Sequence, residues 1–236
     1  MKNLRYVYLN DNIVNVINAK VSTNSKIGVG YIIQTYHFDV EQIKSNNIKL
    51  DNGSCLDCPL SYNQNQGKSG GCYTHKGNQL MGLKSMIRSL NKKFDTIEEF
   101  RQSDFDKFIN TVKNTYPIDL LRFGTYGEPI LLSLSIVDIL TSLSKKTTGY
   151  THQWDKKEYN EYKQFFMAST HDEQTTNQAK KLGFRSFIVA ESEISSSKAV
   201  NCPASKESKK QTSCIKCGLC NGIKRGIKKD VYILKH

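Results

Sequence analysis

No stretch of this 236-residue chain approaches the roughly 20 consecutive apolar residues of a membrane span, and MKNLRYVYLNDNIVNVINAK at the start has no uninterrupted apolar run of secretory type. These absences lead us to expect a soluble protein kept in a reducing cytoplasm, where cysteines serve as metal ligands or reactive thiols before they serve as disulfides. Phosphate-binding glycine loops are missing as well. Gly28 and Gly30 lack the third glycine and following helix of a dinucleotide loop, and in Gly67-Lys68-Ser69-Gly70-Gly71 the lysine and serine precede the last glycines. No internal repeat is visible, and the only low-complexity piece, residues 192–198, predicts a mobile loop before the last cysteines.

Acidic residues are outnumbered, 22 against 34 Lys and Arg, for a net charge of +12. Residues 198–236 hold ten Lys or Arg against Glu207 and Asp230, so 10 − 2 = +8 of that charge lies in the last segment. Three readings are open: compensation for thiolates around a metal, a phosphate-contacting surface for nucleic acid, and a solvated basic face with no partner. Only 38% of residues are hydrophobic, yet 10 Phe and 12 Tyr give the chain enough large apolar side chains for a core.

Cysteine is what the chain has in quantity. Four of the seven lie late, with Cys214, Cys217 and Cys220 at two-residue gaps and Cys202-Pro203 upstream. Four thiolates can close a metal site, and this spacing is closer to ferredoxin-type [4Fe–4S] ligation than to the two separated pairs of structural Zn²⁺, which remains the alternative. The other group is Cys55-x2-Cys58-Pro59 with Cys72 and His75 further on. It reads either as zinc-finger spacing that includes His75, or as three cysteines holding a [4Fe–4S] cluster with one iron open and His75 a plain loop residue.

Hydrophobic periodicity around these loops predicts strands in 1–22 and 27–37, helices at 78–90 and 98–115, and a strand 118–123 entering the turn Gly124–Pro129. There follow a helix 130–144, a strand 147–154, a short helix 159–165, a strand 165–169, a helix from Asp172 to Gly183, a strand 184–190 and a last strand 230–235. Repeated strand and helix predicts an α/β fold, a complete or partial (β/α) barrel with mostly parallel strands and cysteine-rich metal-binding loops. It is expected as one domain, divided into N-terminal strands (1–54), a first cysteine loop (55–77), βα units (78–190) and a distal cysteine loop (191–230). In such folds function gathers at the C-terminal strand ends. That singles out Glu128, a carboxylate between Gly127 and Pro129 suited to fixing a cationic amine or, more plainly, to capping the helix after it. It also singles out Tyr150 and His152 as acid/base or hydrogen-bonding groups facing a substrate.

Several motifs occur together: C-x2-C-P-L with G-C-Y (55–73), R-F-G-x-Y-G-E-P (122–129), G-Y-T-H-Q-W (149–154), M-A-S (167–169), C-P-A-S (202–205) and C-x2-C-G-x-C-x-G (214–222). Over residues 55–222 the set resembles an uncharacterised cysteine-rich family encoded by bacteriophages and mobile elements, which implies a host-cytoplasmic location. More distantly, Tyr126-Gly127-Glu128-Pro129 resembles the Gly-Gly-Glu-Pro element of radical S-adenosylmethionine (SAM) enzymes. That likeness implies that Gly127 and Glu128 hold the cofactor's methionine amine, that Cys55, Cys58 and Cys72 hold an open-iron [4Fe–4S] cluster, and that Cys202, Cys214, Cys217 and Cys220 form a structural or auxiliary centre. The chain departs from the enzymes in having C-x2-C-x13-C instead of C-x3-C-x2-C, and Tyr126 in place of a glycine. The competing expectation is a zinc-stapled nucleic-acid-binding or base-modifying protein, with Tyr73, Tyr150 and Trp154 stacking on bases.

Overall fold

The structure, a computed structural model, describes residues 3–195, 199–208, 210, 212–226 and 229–234. The low-complexity stretch 192–198 lies partly outside them. The chain begins with a hairpin of β1 (Leu4–Asn10) and β2 (Ile13–Ser22), turning at Asp11, whose φ of 51° lies in the left-handed region that Asp tolerates. β3 (Gly30–Asp39) pairs antiparallel to β2, then β4 (Leu120–Tyr126) and β5 (Lys146–Thr148) extend the sheet in parallel, in the order β1-β2-β3-β4-β5. A second sheet, wholly parallel, has the order β6-β7-β8-β10-β9, from β6 (Tyr150–Thr151), β7 (Met167–Thr170), β8 (Ser186–Ala190), β9 (Ala199–Asn201) and β10 (Asp230–Leu234).

The fold is thus mixed α/β with mostly parallel strands, arranged as two five-stranded sheets. They meet at Gly149, between β5 and β6. A side chain there would strike the ring of Phe166 at 2.7 Å and Cβ of Phe123 at 3.1 Å, so the crossing from one sheet to the next requires glycine.

Helices cover one side of the first sheet. Ile17, Ala19, Ile33, Leu121 and Phe123 form one core with Phe105, Phe108, Ile109 and Val112 of α4 (Gln102–Thr115) and with Ile136, Val137 and Leu140 of α5 (Leu134–Ser142). Their spacing on those helices is the i, i+3/i+4 pattern of a buried stripe. On the other side Val14, Val16, Tyr36 and Phe38 pack with Ile43 of α1 (Val40–Lys44) and with Leu83, Ile87 and Leu90 of α3 (Gly77–Asn91). Among the described residues no helix is long and apolar enough to cross a membrane.

Four expectations need correction. α4 spans Gln102–Thr115 rather than starting at 98, because Glu98 and Phe100 hydrogen-bond to Leu9 along the edge of β1. The segment after Pro129 is a single 3-10 turn, Pro129–Leu131, and α5 (Leu134–Ser142) begins only after Ser133, whose hydroxyl accepts from Ile136 N. The stretch 147–154 is two short strands in different sheets. β9 was not anticipated; it forms the sheet edge, with β10 inserted between it and β8. The helix after Asp172 is as expected: α6 (Glu173–Lys181) starts from an Asp172 capping box, and Gly183 follows it at φ 84°.

Candidate metal centre and cofactor site

The first cysteine loop leaves the C-terminal end of β3 and is folded by two side chains. Asp51 accepts from the backbone of Tyr62 and Asn63, both at 2.8 Å, and the Asn65 amide donates to the carbonyls of Pro59 and Ser61. Within it α2 (Asn52–Cys55) delivers Cys55, and the next turn delivers Cys58, whose N–H bonds to the Cys55 carbonyl. This loop is pinned to the end of β4 where Glu128 N donates to Ser54 O at 2.8 Å. At Gly127, φ 79°, an added Cβ would sit 2.7 Å from His37 O and 2.9 Å from Ser54 O. Only glycine allows strand end and cysteine loop to approach this closely.

Glu128, 4% exposed, points into this junction and does not cap a helix through its side chain. Its carboxylate accepts from Thr151 Oγ1 at 2.7 Å, from His152 N at 3.1 and 3.3 Å, and from His152 Nδ1 at 3.0 Å. The far nitrogen of the same ring, Nε2, lies 3.9 Å from Cys58 Sγ. Cys58, Glu128 and His152 thus bring one ligand atom each within 4.8 Å of one another, the one such set among the described residues.

The electrostatics of this corner are lopsided. Burial pushes the Cys55 thiol well above its ordinary value, and Asp51, Cys58, Cys72 and Glu128 add to the rise. Cys72 is also raised by burial, and by Cys58 and Asp51, against a hydrogen bond with Thr74. Burial disfavours charge on His152, yet Cys58 and Glu128 outweigh it and hold the imidazole up at about 10. Three thiols and two carboxylates therefore share one neighbourhood with the His152 imidazole.

Cys214 and Cys220 lie near the starts of β3 and β6, whereas Cys202 follows the C-terminal end of β9. Cys214 N donates to Lys26 O, just ahead of β3, from the first turn of α7 (Cys214–Cys217). Cys202 N donates to Tyr232 O on β10, and Cys220 O accepts from Gly149 N at the sheet junction. Arg185 braces the loop by donating to the carbonyls of Leu219 and Asn221. Burial raises Cys202, Cys214 and Cys220, the last to about 12 in spite of a hydrogen bond from Tyr150; Cys214 and Cys217 add to the rise at Cys202, Cys217 at Cys214, and all three other thiols at Cys220, while Lys26 opposes it at Cys202, and Arg122 with Lys26 at Cys214. Among the described residues no three of the seven sulfurs lie mutually within 4.8 Å.

The structure separates residues that the sequence reading placed together. His152 joins Glu128 and Cys58, whereas Tyr150 faces the distal thiols and packs with Met167, Cys202 and Cys220. His75 stacks on Tyr62 with ring centroids 3.8 Å apart, and its buried Nδ1 has no hydrogen-bond partner. Trp154 is buried with its N–H on Ser169 O, so its ring is not presented to a base. In the basic segment Lys224 pairs with Asp138, and Arg225 donates to the carbonyls of Ser144 and Lys145. Thr151 and Asp51 were missed. Thr151 had a signal, since it stands beside His152 in a polar cluster at a strand end.

No protein-family model, curated protein or solved structure matches the chain. The geometry of the site is therefore the ground for assigning a function.

Proposed function

We propose that this chain is an iron–sulfur enzyme of radical SAM-like type, its two sheets forming a partial barrel with the reaction centre at the C-terminal strand ends. One juxtaposition carries the reading: a three-cysteine loop after the first parallel strand lies against Gly127 and Glu128 at the end of the neighbouring parallel strand. The donor set fits the group. Cys55 and Cys58 are buried and Cys72 partly so, all three beside Asp51, Glu128 and the His152 imidazole, and a cluster there would take the place of the thiol protons. A [4Fe–4S] cluster held by Cys55, Cys58 and Cys72 supplies an electron and an iron with no protein thiolate.

The chain's own residues then have separate tasks. A carboxylate offers about four acceptor positions. Thr151 and the two donors of His152 take three of those on Glu128, which fixes its plane and leaves one for the amine of S-adenosylmethionine. Gly127 lets the strand end close onto His37 and Ser54, which sets Glu128 beside the cysteine loop. His152, held by Glu128 with Nε2 3.9 Å from Cys58 Sγ, would donate to that sulfur were it a cluster ligand, a positioning role.

A second reading has one observation in its favour. In the Glu128–His152–Cys58 line the carboxylate orients the imidazole, the arrangement usual around a zinc-binding histidine, so Cys55, Cys58, Cys72 and His152 Nε2 could close a Zn²⁺ site. Metal analysis of anaerobically purified protein decides between them. Iron and sulfide with broad visible absorption support the enzyme reading, and a colourless protein with stoichiometric zinc overturns it.

A further inference from the structure

The uncovered part of the first sheet carries charge. Strand register aligns Asn18, Gln34, Arg122 and Thr148 in one row across β2, β3, β4 and β5, and directly paired residues point to the same side. Lys20 is two residues along β2 from Asn18 and shares that side, opposite the apolar face under α4 and α5. Lys20 and Arg122 both line a cleft of about 180 Å³ with Ser22, Gln34, Tyr36 and Gln79.

Arg122 also lies near the Cys214 thiol, and Lys20 is the second cation of the cleft. Among the described residues no carboxylate forms an ion pair with either. Lys20 is pushed down by burial and by the like charges of Arg122 and Arg5, while at Arg122 burial is outweighed by Tyr73, Tyr150, Cys214 and Tyr36, which hold the guanidinium up. Partly desolvated like charges repel, and a bound anion would turn that repulsion into attraction. The cleft is smaller than the few hundred Å³ of a typical drug-sized pocket, which suits a compact ligand over a polymer.

We propose that the cleft between Lys20 and Arg122 binds a small oxyanion, the phosphate or carboxylate group of a compact metabolite. Tyr73 connects it to the metal centre, being next to Cys72 in sequence and within reach of both Arg122 and the Thr125 carbonyl. That the anion anchors a substrate rests on the function proposed above; anion binding itself needs no metal.

The test is calorimetric titration of the purified protein with inorganic phosphate and, separately, with malonate, repeated on Lys20→Gln, Arg122→Gln and Lys84→Gln. Saturable binding of at least one anion is expected, weakened tenfold or more by Lys20→Gln and by Arg122→Gln and unchanged by Lys84→Gln on the exposed side of α3. Phosphate alone assigns a phosphorylated ligand, and malonate alone a carboxylic acid. Lys20 is half-buried, so its variant keeps the test decisive even where Arg122→Gln does not fold. The proposal is overturned if neither anion saturates, if Lys84→Gln costs as much as Lys20→Gln, or if a single-stranded oligonucleotide binds through these residues more tightly than either anion. Anion binding that persists after metal removal separates this site from the fate of the cluster assignment.

Discussion

The two cysteine groups use the same side chain in opposite settings. The distal four are stitched into both sheets through Lys26, Gly149 and Tyr232 and have Lys26, Arg122 and Arg185 near them. The three of the first group sit in a loop folded largely by its own Asp51 and Asn65, among carboxylates. On the function proposed above, four thiols with cations near them would make a centre that holds structure, and three thiols with an oriented carboxylate and an imidazole would make one with a coordination position to spare.

The largest effect that follows is on folding. Cys220→Ser should lower the melting temperature by many degrees and reduce soluble yield, since structural metal sites contribute on the order of 10 kcal/mol, whereas Cys58→Ser should leave melting closer to the parent and remove the metal of the first site. Thermal melts with metal analysis check both. Equal losses of stability from the two variants would erase the distinction.

Next in size is cofactor affinity. Glu128→Gln keeps the shape of the side chain but removes its charge, and a charged hydrogen bond is worth about 1.5–3 kcal/mol, so S-adenosylmethionine binding should weaken tenfold or more at unchanged iron content. A Glu128→Gln protein that binds the cofactor like the parent would assign the carboxylate to holding Thr151 and His152 alone.

Much of this arrangement was legible before any coordinates. Apolar periodicity placed α3, the Asp172 cap and Gly183 placed α6, and the turn before Pro129 placed Glu128 after a strand end, although β4 runs through Gly124 to Tyr126 and not to 123. Two things were hidden. Tyr150 and His152 look like one cluster in the sequence, but β6 is only two residues long and pairing with β7 ends before His152, so the second residue turns to Glu128 while the first stays with the distal thiols. The partners of Glu128 depend on two strands 24 residues apart, a distance no local pattern reports. The Lys20–Arg122 face did leave a trace, an arginine within the apolar strand Leu120-Leu121-Arg122-Phe123, but its lack of a carboxylate partner needed the register of four strands.

Smaller effects sharpen the contrast further. His37 is fully buried between Asn15 and Thr35 and lies under Gly127; burial holds it down at about 3. The folded state therefore refuses a proton that the unfolded chain takes up below its ordinary value of about 6.5. Stability should be complete above that pH and fall on acidification toward 3, by up to about 1.4 kcal/mol per pH unit from this group, and His37→Gln should flatten the slope in denaturant titrations. A slope unchanged in the variant would assign the acid sensitivity elsewhere.

The smallest expected effect concerns nucleic acid. Lys224 and Arg225 are committed to Asp138 and to backbone carbonyls, which leaves fewer cations of the last segment for phosphates. Single-stranded DNA should bind weakly and with a shallow salt dependence, and a steep loss of affinity between low and moderate salt would show that many phosphates are contacted after all.

The open coordination position of the first site is the centre of this account. Electron paramagnetic resonance of the anaerobically reduced protein, before and after addition of S-adenosylmethionine, reads it directly. A reduced-cluster signal that changes on adding the cofactor, and does so in the parent but not in Cys58→Ser, is the predicted result. A signal indifferent to the cofactor, or no iron signal in protein that carries zinc, would contradict it.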